Sequence, residues 1–376
     1  MVSRRKLFRE VFLTLYLLFF IHCLLGFSSS KFKKQSKHVF CIGNQVVVTS
    51  PAAYGRLMMP NILPTKWEAY DWKTQGERNL RIFFHETSGK NKLSLIQCCA
   101  VESAAKHNPN RLVQLFLRPL ENCSGSFKMP LKSASFYNPA WLEVISEYPN
   151  VSPILINEEN YFSETPLEEW YRKKEWKNSP YMTEHYSDYI RVLSLYKEGG
   201  LYLDIDILTL RPYHGDMFRN FLVYGSSRMD HISNGAMQLE PGHWLSKEIL
   251  HLLAKEYDPN SYIYHGPDVV GEVMKRVCGV AAGSPESNQC SDVQILPDKL
   301  FYPIPSITSN LLFEDKISET NMETLAKING SFGLHLWNSL SKLQNPLNIH
   351  SNQVIAILAR KNCPLTISRA TDFESL

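Results

Sequence analysis

The chain has 376 residues, of which 44% are hydrophobic, and its 40 Lys and Arg nearly balance its 37 Asp and Glu. This composition is typical of one folded α/β domain or two small ones, and it excludes disordered, fibrous and repeat proteins. The net charge of +3 is too small for a general nucleic-acid binder, which carries a basic face or arm in its folded part. We therefore expect no nucleic-acid partner.

The first hydrophobic feature is an apolar run from Val11 to Phe27, which follows a short basic segment. With a helical rise of 1.5 Å per residue, its roughly 17 residues span about 26 Å, near the hydrocarbon thickness of a thin bilayer. A cleaved signal peptide also starts with basic residues, but its apolar part is usually shorter. We predict an N-terminal tail at 1–10 and an uncleaved transmembrane signal anchor at 11–27. Lysines on the far side of the run leave its orientation open.

Sequons and cysteines bear on the compartment of the remaining chain. Glycosylation sequons begin at Asn122, Asn150 and Asn329, which suits a lumenal body, although Pro153 weakens the second sequon. Eight cysteines are consistent with an oxidising compartment. Because Cys23 falls in the apolar run, an odd number remains, so at least one cysteine is free or pairs between chains.

Residues 28–75 mix Lys, Ser and Pro with one short β-type run, and they are predicted to form a stem. The body, 76–376, begins by alternating short apolar strands with helices. Strands are predicted in the segments that start at Leu80, Arg111 and Val151, with helices between them. This order predicts βαβ units, a parallel sheet and a ligand site at the carboxyl ends of its strands.

The central motif is Asp204-Ile-Asp206, which lies in an apolar run directly after Gly199-Gly200 ends a helix. On an extended segment, both carboxylates project to the same face. A chain of this length contains about one Asp-x-Asp by chance, but burying both charges without a cation would be strongly unfavourable. Two carboxylates suit Mg²⁺ or Mn²⁺, whose open positions accept the oxygens of a substrate diphosphate. The motif therefore predicts a divalent-metal site.

Further segments of the body carry a more specific signal. They are IFFHETS at 82–88, CAVESAAKHNP at 99–109, TPLEEWY at 165–171, SDYIRVLSLYKEGGLYLDID at 187–206, NGAM at 234–237, HGPDVV at 265–270, FYPI at 301–304 and HLWN at 335–338. From about Arg81 to Pro364, the chain resembles the α1,4-glycosyltransferases of the lactosylceramide 4-α-galactosyltransferase (globotriaosylceramide synthase) type. The likeness is to the form found in insects and other animals, including α1,4-N-acetylgalactosaminyltransferases.

The resemblance implies a single Rossmann-like α/β domain with the A-type glycosyltransferase fold, whose catalytic body lies in the Golgi lumen behind a cytoplasmic tail and a type II anchor. It also implies a retaining enzyme that uses Mn²⁺ or another divalent cation. The donor would be UDP-Gal or UDP-GalNAc, and the acceptor a glycosphingolipid at the Golgi membrane. Homo- or hetero-oligomers with other Golgi proteins are compatible with this picture. The sequence nominates no carboxylate nucleophile, and a same-face reaction needs none.

By the same resemblance, Asp204 and Asp206 are the catalytic acids, and they bind the metal together with His335, with Asp206 as the firmer ligand. Without the family, a histidine in a short apolar strand is more often part of the core. Trp337 would line the phosphate or donor pocket.

Further donor-site residues follow from the resemblance. Arg191 would bind phosphate or sugar oxygens and Asp188 a sugar hydroxyl, although such a helical pair also occurs as a surface ion pair. The remaining candidates are Glu86 and Thr87 beside the uridine, Asn234 and Gly235 along the donor sugar, and His265 before a helix that would start at Pro267.

Two other functions compete with this interpretation. Haloacid-dehalogenase-type phosphohydrolases also carry Asp-x-Asp after an apolar strand, but they have Thr or Val four residues after the first Asp, where this chain has Leu208. A lumenal carbohydrate-binding or chaperone-like relative without turnover would keep the fold. The preferred disulfide is Cys278–Cys290, which encloses a loop rich in Gly, Ser and Pro, and the second is Cys99–Cys363.

Overall fold

The computed structural model describes residues 81–90, 92–118, 140–213, 219–226, 231–279, 290, 292–315, 319–338 and 347–373. The predicted tail at 1–10, anchor at 11–27 and stem at 28–75 lie outside these residues. Within the ranges just given, no helix is both long enough and apolar enough to cross a membrane.

The strands form a central mixed sheet and a small second sheet. Numbered along the chain, they are β1 (Arg81–Glu86), β2 (Leu112–Leu117), β3 (Val151–Leu155), β4 (Gly200–Leu203), β5 (Ile207–Thr209), β6 (Phe221–Tyr224), β7 (Ile232–Leu239), β8 (Gln294–Leu296) and β9 (Gly333–His335). The central sheet has seven strands in the order β3-β2-β1-β4-β7-β6-β8, and β5 pairs with β9 separately.

The α/β architecture is confirmed. The prediction of a parallel sheet fails only at β7, since the other described strands of the central sheet share one direction and β8 is parallel to β6. Strands β3, β2, β1 and β4 are parallel neighbours, whereas β7 runs antiparallel to both β4 and β6. A parallel neighbour requires a crossover of a dozen or more residues, whereas β6 ends at Tyr224 and β7 starts at Ile232. The short connection therefore reverses the chain.

Helices cover the sheet. They are α1 (Leu95–His107), α2 (Ala140–Ser146), α3 (Glu158–Phe162), α4 (Glu168–Lys173), α5 (Met182–Glu198), α6 (Trp244–Lys255), α7 (Val269–Cys278), α8 (Glu319–Ile328), α9 (Val354–Asn362) and α10 (Pro364–Ser368). Ser94 starts α1 with a reciprocal capping box to Gln97. The core beside α5 is rich in rings, and Trp170 stacks on Tyr189 with ring centroids 3.8 Å apart.

The link between α5 and β4 fixes where the central motif begins. Gly199 ends α5 with φ of 65°, and Gly200 follows with φ of 116°. A Cβ on Gly199 would lie 2.4 Å from Pro241, and one on Gly200 would lie 2.7 Å from the carbonyl oxygen of Arg81. Neither the backbone angles nor the space admits another residue, so this glycine pair positions β4 against β1.

Both predicted disulfides are present. Cys278 bonds Cys290, and Cys99 bonds Cys363, which joins α1 to the end of α9. Among the cysteines that the structure describes, Cys98 is free and buried.

Candidate active site

The two acids of the central motif follow β4 at the carboxyl edge of the sheet. The backbone N–H of Asp204 donates to the Gly235 carbonyl at 2.7 Å, and that of Ile207 donates to the Asp204 carbonyl at 2.9 Å. The acids therefore lie in a turn between β4 and β5, and the prediction of an extended segment is wrong here. The turn is needed because β5 leaves the central sheet to pair with β9.

That pairing brings His335 to the acids. Ile207 lies opposite His335 in the register of β5 and β9. The Nε2 atom of His335 is 3.5 Å from Oδ2 of Asp204 and 3.3 Å from Oδ1 of Asp206. Ligand atoms of all three residues lie within 4.8 Å of one another. Adjacent oxygen ligands about 2.1 Å from an octahedral cation are roughly 3 Å apart, so the triad fits one face of a divalent-metal site.

Asp204 is held by two further side chains. Nη1 of Arg191 is 3.0 Å from its Oδ1, and the Tyr202 hydroxyl donates to the same oxygen at 2.7 Å. Burial alone raises the pKa of this carboxyl, but Arg191 and His335 outweigh it and hold the pKa of Asp204 well below its usual range. Asp204 is therefore anionic at physiological pH.

Asp206 is oriented by the backbone. The N–H of Asn338 donates to its Oδ2 at 2.8 Å, which leaves Oδ1 beside His335. Asn338 is a contact that sequence reasoning missed, although it ends the HLWN segment that carries the family resemblance.

Arg191 sits at the centre of a buried polar network. Its Nη2 is 3.3 Å from Oδ1 of Asp188 and 2.7 Å from the Ser187 hydroxyl. Its Nη1 donates to the Asn234 carbonyl at 3.1 Å besides contacting Asp204, and its Nε donates to the Ser187 carbonyl. Every guanidinium nitrogen thus has a protein partner. In this arrangement Arg191 holds the acids in place, and the predicted contact with donor phosphates would require it to share these N–H groups.

Asp188 and Asn234, two of the predicted donor-site residues, lie together. Nδ2 of Asn234 donates to Oδ1 of Asp188 at 2.8 Å. Burial raises the pKa of Asp188 to about 6, against the opposing effect of Arg191. A Cβ on Gly266 would lie 3.0 Å from both Asp188 oxygens. The backbone at Gly266 therefore closes one side of this pair.

Gly235 allows the backbone of β7 to approach Asp204. A Cβ there would lie 2.5 Å from Oδ2 of Asp204 and 2.8 Å from the Tyr302 hydroxyl. Gly235 is predicted to line the donor sugar, and the structure places it directly behind the Asp204 carboxylate. Any side chain at this position would displace Asp204.

Aromatic rings pack against the His335 ring of the triad. The ring of Tyr302 lies 5.4 Å from that of His335 and 5.8 Å from that of Trp337, and Ser233 donates to its hydroxyl at 2.8 Å. Trp337 has φ of 52°, which is rare for a residue other than glycine, and its indole N–H donates to the Ile304 carbonyl. Sequence reasoning missed Tyr302 as a site residue, although it lies in the FYPI segment.

The His335 ring is oriented by its neighbour. Its Nδ1 accepts the backbone N–H of Trp337 at 3.2 Å, so Nε2 faces the two carboxylates. Burial lowers the pKa of His335, but Asp206 and Asp204 more than compensate and raise it above its ordinary value. Coordination of a metal through Nε2 therefore competes with a proton.

Glu86 and Thr87 end β1 at the same edge of the sheet. Oε1 of Glu86 accepts from the backbone N–H of Ser88 at 2.9 Å, and the Thr87 carbonyl accepts from Arg118 at 3.4 Å. These contacts are to residues around the end of β1, and the predicted role of Glu86 and Thr87 at the uridine stays a prediction.

His265 does not face the acids. It is 1% exposed, and its Nε2 accepts the backbone N–H of Asp258 at 3.0 Å. Its ring contacts those of His185, Tyr189, Tyr257 and Tyr264. The prediction of a donor- or acceptor-facing imidazole is therefore wrong, because this aromatic cluster takes up the ring. Gly266 leaves helical geometry, and the helical backbone that continues into α7 starts directly after it, so Pro267 is the first residue of that helical segment, as predicted.

Two family models match the chain, one on each side of β7. A glycosyltransferase sugar-binding region containing the DXD motif matches 96–222, and an alpha 1,4-glycosyltransferase conserved region matches 238–370. The first match contains Asp204 and Asp206, and the second contains His335. The candidate metal triad thus takes its two acids from the first matched region and its histidine from the second.

Curated relatives match across most of the chain. Lactosylceramide 4-alpha-galactosyltransferase of Rattus norvegicus is 29% identical over 286 residues, which cover 76% of this chain and 74% of that protein. The Homo sapiens alpha-1,4-N-acetylglucosaminyltransferase is 28% identical over 286 residues, covering 76% and 79%. Among solved structures, the galactosyltransferase LgtC in complex with donor and acceptor sugar analogs is 13% identical with a TM-score of 0.38, covering 77% of this chain and 95% of LgtC.

Proposed function

Since the chain belongs to the α1,4-glycosyltransferase family, we propose that it is a retaining, metal-dependent enzyme that transfers galactose or N-acetylgalactosamine from a UDP-sugar to the terminal sugar of a glycosphingolipid. The observation that carries this proposal is the triad of Asp204, Asp206 and His335 at the carboxyl edge of the sheet. The relatives' names support the α1,4 linkage and, in lactosylceramide, a glycolipid acceptor.

A divalent cation, Mn²⁺ in this proposal, would be held by the two carboxylates and by Nε2 of His335. When bound, it supplies positive charge that stabilises the departing diphosphate. The protein's own part is to keep the ligands in place: Arg191 and Tyr202 hold Asp204 as an anion, and the Asn338 N–H orients Asp206. Tyr302 and Trp337 limit access of water to the same side.

Retention is proposed to proceed on one face of the donor sugar, with the acceptor hydroxyl losing its proton to the leaving diphosphate. A double displacement needs a free carboxylate at the anomeric carbon. Asp188 is occupied by Arg191 and Asn234, and Asp204 by Arg191 and Tyr202. Trapping of a glycosyl group on an enzyme side chain would contradict the same-face reaction.

The proposed location is the Golgi membrane, as a type II protein with its catalytic body in the lumen. The predicted anchor at 11–27 and stem at 28–75 support this placement. So do the disulfides Cys99–Cys363 and Cys278–Cys290, since such bonds persist in oxidising compartments.

The test is a transfer assay with the full chain in detergent and Mn²⁺. UDP-Gal, UDP-GalNAc and UDP-GlcNAc are each offered with lactosyl and GalNAc-terminated glycolipids, and NMR assigns the linkage and anomeric configuration of any product. UDP-GlcNAc is included because one relative is named for N-acetylglucosaminyl transfer. An α1,4-linked product with the first or second donor is expected. Binding of UDP and Mn²⁺ without transfer would favour the inactive relative, and phosphomonoester hydrolysis lost on Asp204→Asn would favour the phosphohydrolase.

A further inference from the structure

The two sequons whose asparagines the structure describes lie in opposite environments. They are Asn150-Val-Ser152 and Asn329-Gly-Ser331, while Asn122 lies outside the described residues. The proposed lumenal placement would expose all of them to N-glycosylation during synthesis.

Asn150 has a structural role. It is 6% exposed, and its Nδ2 donates to the carbonyl oxygens of Ala105, Asn108 and Arg111 at 3.0 to 3.1 Å. These carbonyls belong to the end of α1 and to the loop before β2, so one amide ties both to the turn before β3. A glycan on Nδ2 would replace one of its hydrogens and insert a sugar among buried carbonyls. A chain that carries it cannot adopt this fold.

Asn329 is the opposite case. It is exposed in the turn after α8, and no hydrogen bond of its side chain is found within the described part of the chain. The next residue, Gly330, has φ of 94° and only open space around the position of a Cβ. A glycan on Asn329 would therefore extend into solvent without disturbing any packing.

Pro153 directly follows the buried sequon. A proline restricts the residue before it, here the acceptor Ser152, to extended backbone, and this disfavours the turned conformation in which a sequon is modified. Pro153 pairs with Leu115 in register, on the edge strand of the described sheet, where a residue without an N–H is tolerated. A β-branched residue would suit this strand better. Strand formation therefore does not account for the proline.

We propose that Asn329 carries an N-linked glycan and that Pro153 keeps Asn150 unmodified so that the chain can fold. In the modification, Nδ2 of Asn329 bonds to C1 of an oligosaccharide carried on a lipid diphosphate. The C1–O bond to the diphosphate breaks, the amide loses one proton, and the lipid diphosphate leaves. The cell's oligosaccharyltransferase catalyses this step on the nascent chain. The inference rests on the lumenal placement of the proposed function.

The test expresses the full chain in cultured animal cells. Glycans are released enzymatically in heavy-oxygen water, which marks each formerly modified Asn as a labelled Asp for mass spectrometry. The wild type should be modified at Asn329 and not at Asn150. Asn329→Gln should lose that glycan and keep its transfer rate.

The role of Pro153 is tested by a matched pair of variants. Pro153→Val should gain a glycan at Asn150 and lose most of its folded protein. Pro153→Val combined with Ser152→Ala has the same strand change without the sequon, so its yield should return to that of Ser152→Ala alone.

Three outcomes would overturn the inference: a glycan on Asn150 in folded, active protein; a double variant that folds as poorly as Pro153→Val; or a modified Asn122 beside an unmodified Asn329. If no sequon is modified at all, the lumenal placement itself is wrong. The transfer assay reports on the proposed reaction independently of each result.

Discussion

Two carboxylates in this protein, the buried Glu102 and the half-buried Asp204, show how a structural acid differs from a functional one. Glu102 is fully buried in α1 and accepts from the Tyr148 hydroxyl and from the backbone N–H groups of Leu365 and Thr366, at 2.7 to 2.9 Å. All three donors are neutral, and they tie α10 to α1 beside the disulfide Cys99–Cys363.

Asp204 also has several partners, but unlike those of Glu102 they include a charged group and lie beside a second acid. Arg191 and Tyr202 occupy its Oδ1, whereas its Oδ2 faces His335, which also lies beside Asp206. Two carboxylates around one imidazole repel each other, and a cation between them would remove that repulsion. Burial of a carboxylate is therefore no mark of function by itself, whereas the convergence of two acids on one imidazole is.

The largest effect is expected from Asp206→Asn, which keeps the size of the side chain and removes one anionic ligand. Transfer should fall by more than about 100-fold, the upper range for loss of a second-shell partner of a metal ligand. The thermal unfolding midpoint should change little, because the amide can still accept the Asn338 N–H. Initial rates at saturating Mn²⁺ and a melting curve check both points. A normal rate would exclude Asp206 as a metal ligand.

Glu102→Gln should do the opposite of Asp206→Asn: it should lower the stability and leave the transfer rate unchanged. The amide removes the negative charge and turns its NH2 group towards one of the two backbone donors, Leu365 or Thr366, which then loses its acceptor. The free energy of unfolding should fall by about 2 kcal/mol, while the transfer rate per folded molecule stays unchanged. Urea denaturation and a rate assay at low temperature separate the two. Loss of rate at full stability would give Glu102 a functional role.

The sequence predicts the parts of this site that depend on neighbouring residues. Asp204 and Asp206 are marked by charge within an apolar run, and the Gly199-Gly200 pair marks the end of α5 because both positions need positive φ. The disulfide Cys278–Cys290 is close in sequence, so a short loop predicts it.

The parts that sequence reasoning missed depend on long-range packing. The direction of β7 is set by the short β6–β7 connection, which hydrophobic runs alone do not distinguish from a crossover. His265 turns into an aromatic cluster whose distant members come from two other segments, α5 and the turn after α6, and Tyr302 contacts the His335 ring from a separate part of the chain. No local pattern encodes either position.

Mn²⁺ binding should depend on pH through His335. Its pKa is raised by the two acids, and below that pKa both ring nitrogens are protonated, so neither can bind the metal. Affinity should then rise up to about tenfold per pH unit and level off once the pH exceeds the raised pKa. Calorimetric titration with Mn²⁺ across this range measures the slope. His335→Gln should bind more weakly and without this slope; an equal slope in the variant would assign the proton to another group.

The smallest effect is expected from Tyr202→Phe, which removes the 2.7 Å hydrogen bond to Oδ1 of Asp204 and leaves Arg191 in place. One such bond is worth about 1 kcal/mol, so the affinity for Mn²⁺ should fall about fivefold while the rate at saturating metal is kept. Tyr189→Phe is the matched control, because it removes an equally buried hydroxyl that donates to the Leu253 carbonyl at 2.9 Å, away from the triad. If both variants weaken metal binding alike, the effect comes from general loosening of the core. If only Tyr202→Phe does, the hydroxyl sets the position of the Asp204 carboxylate for the cation.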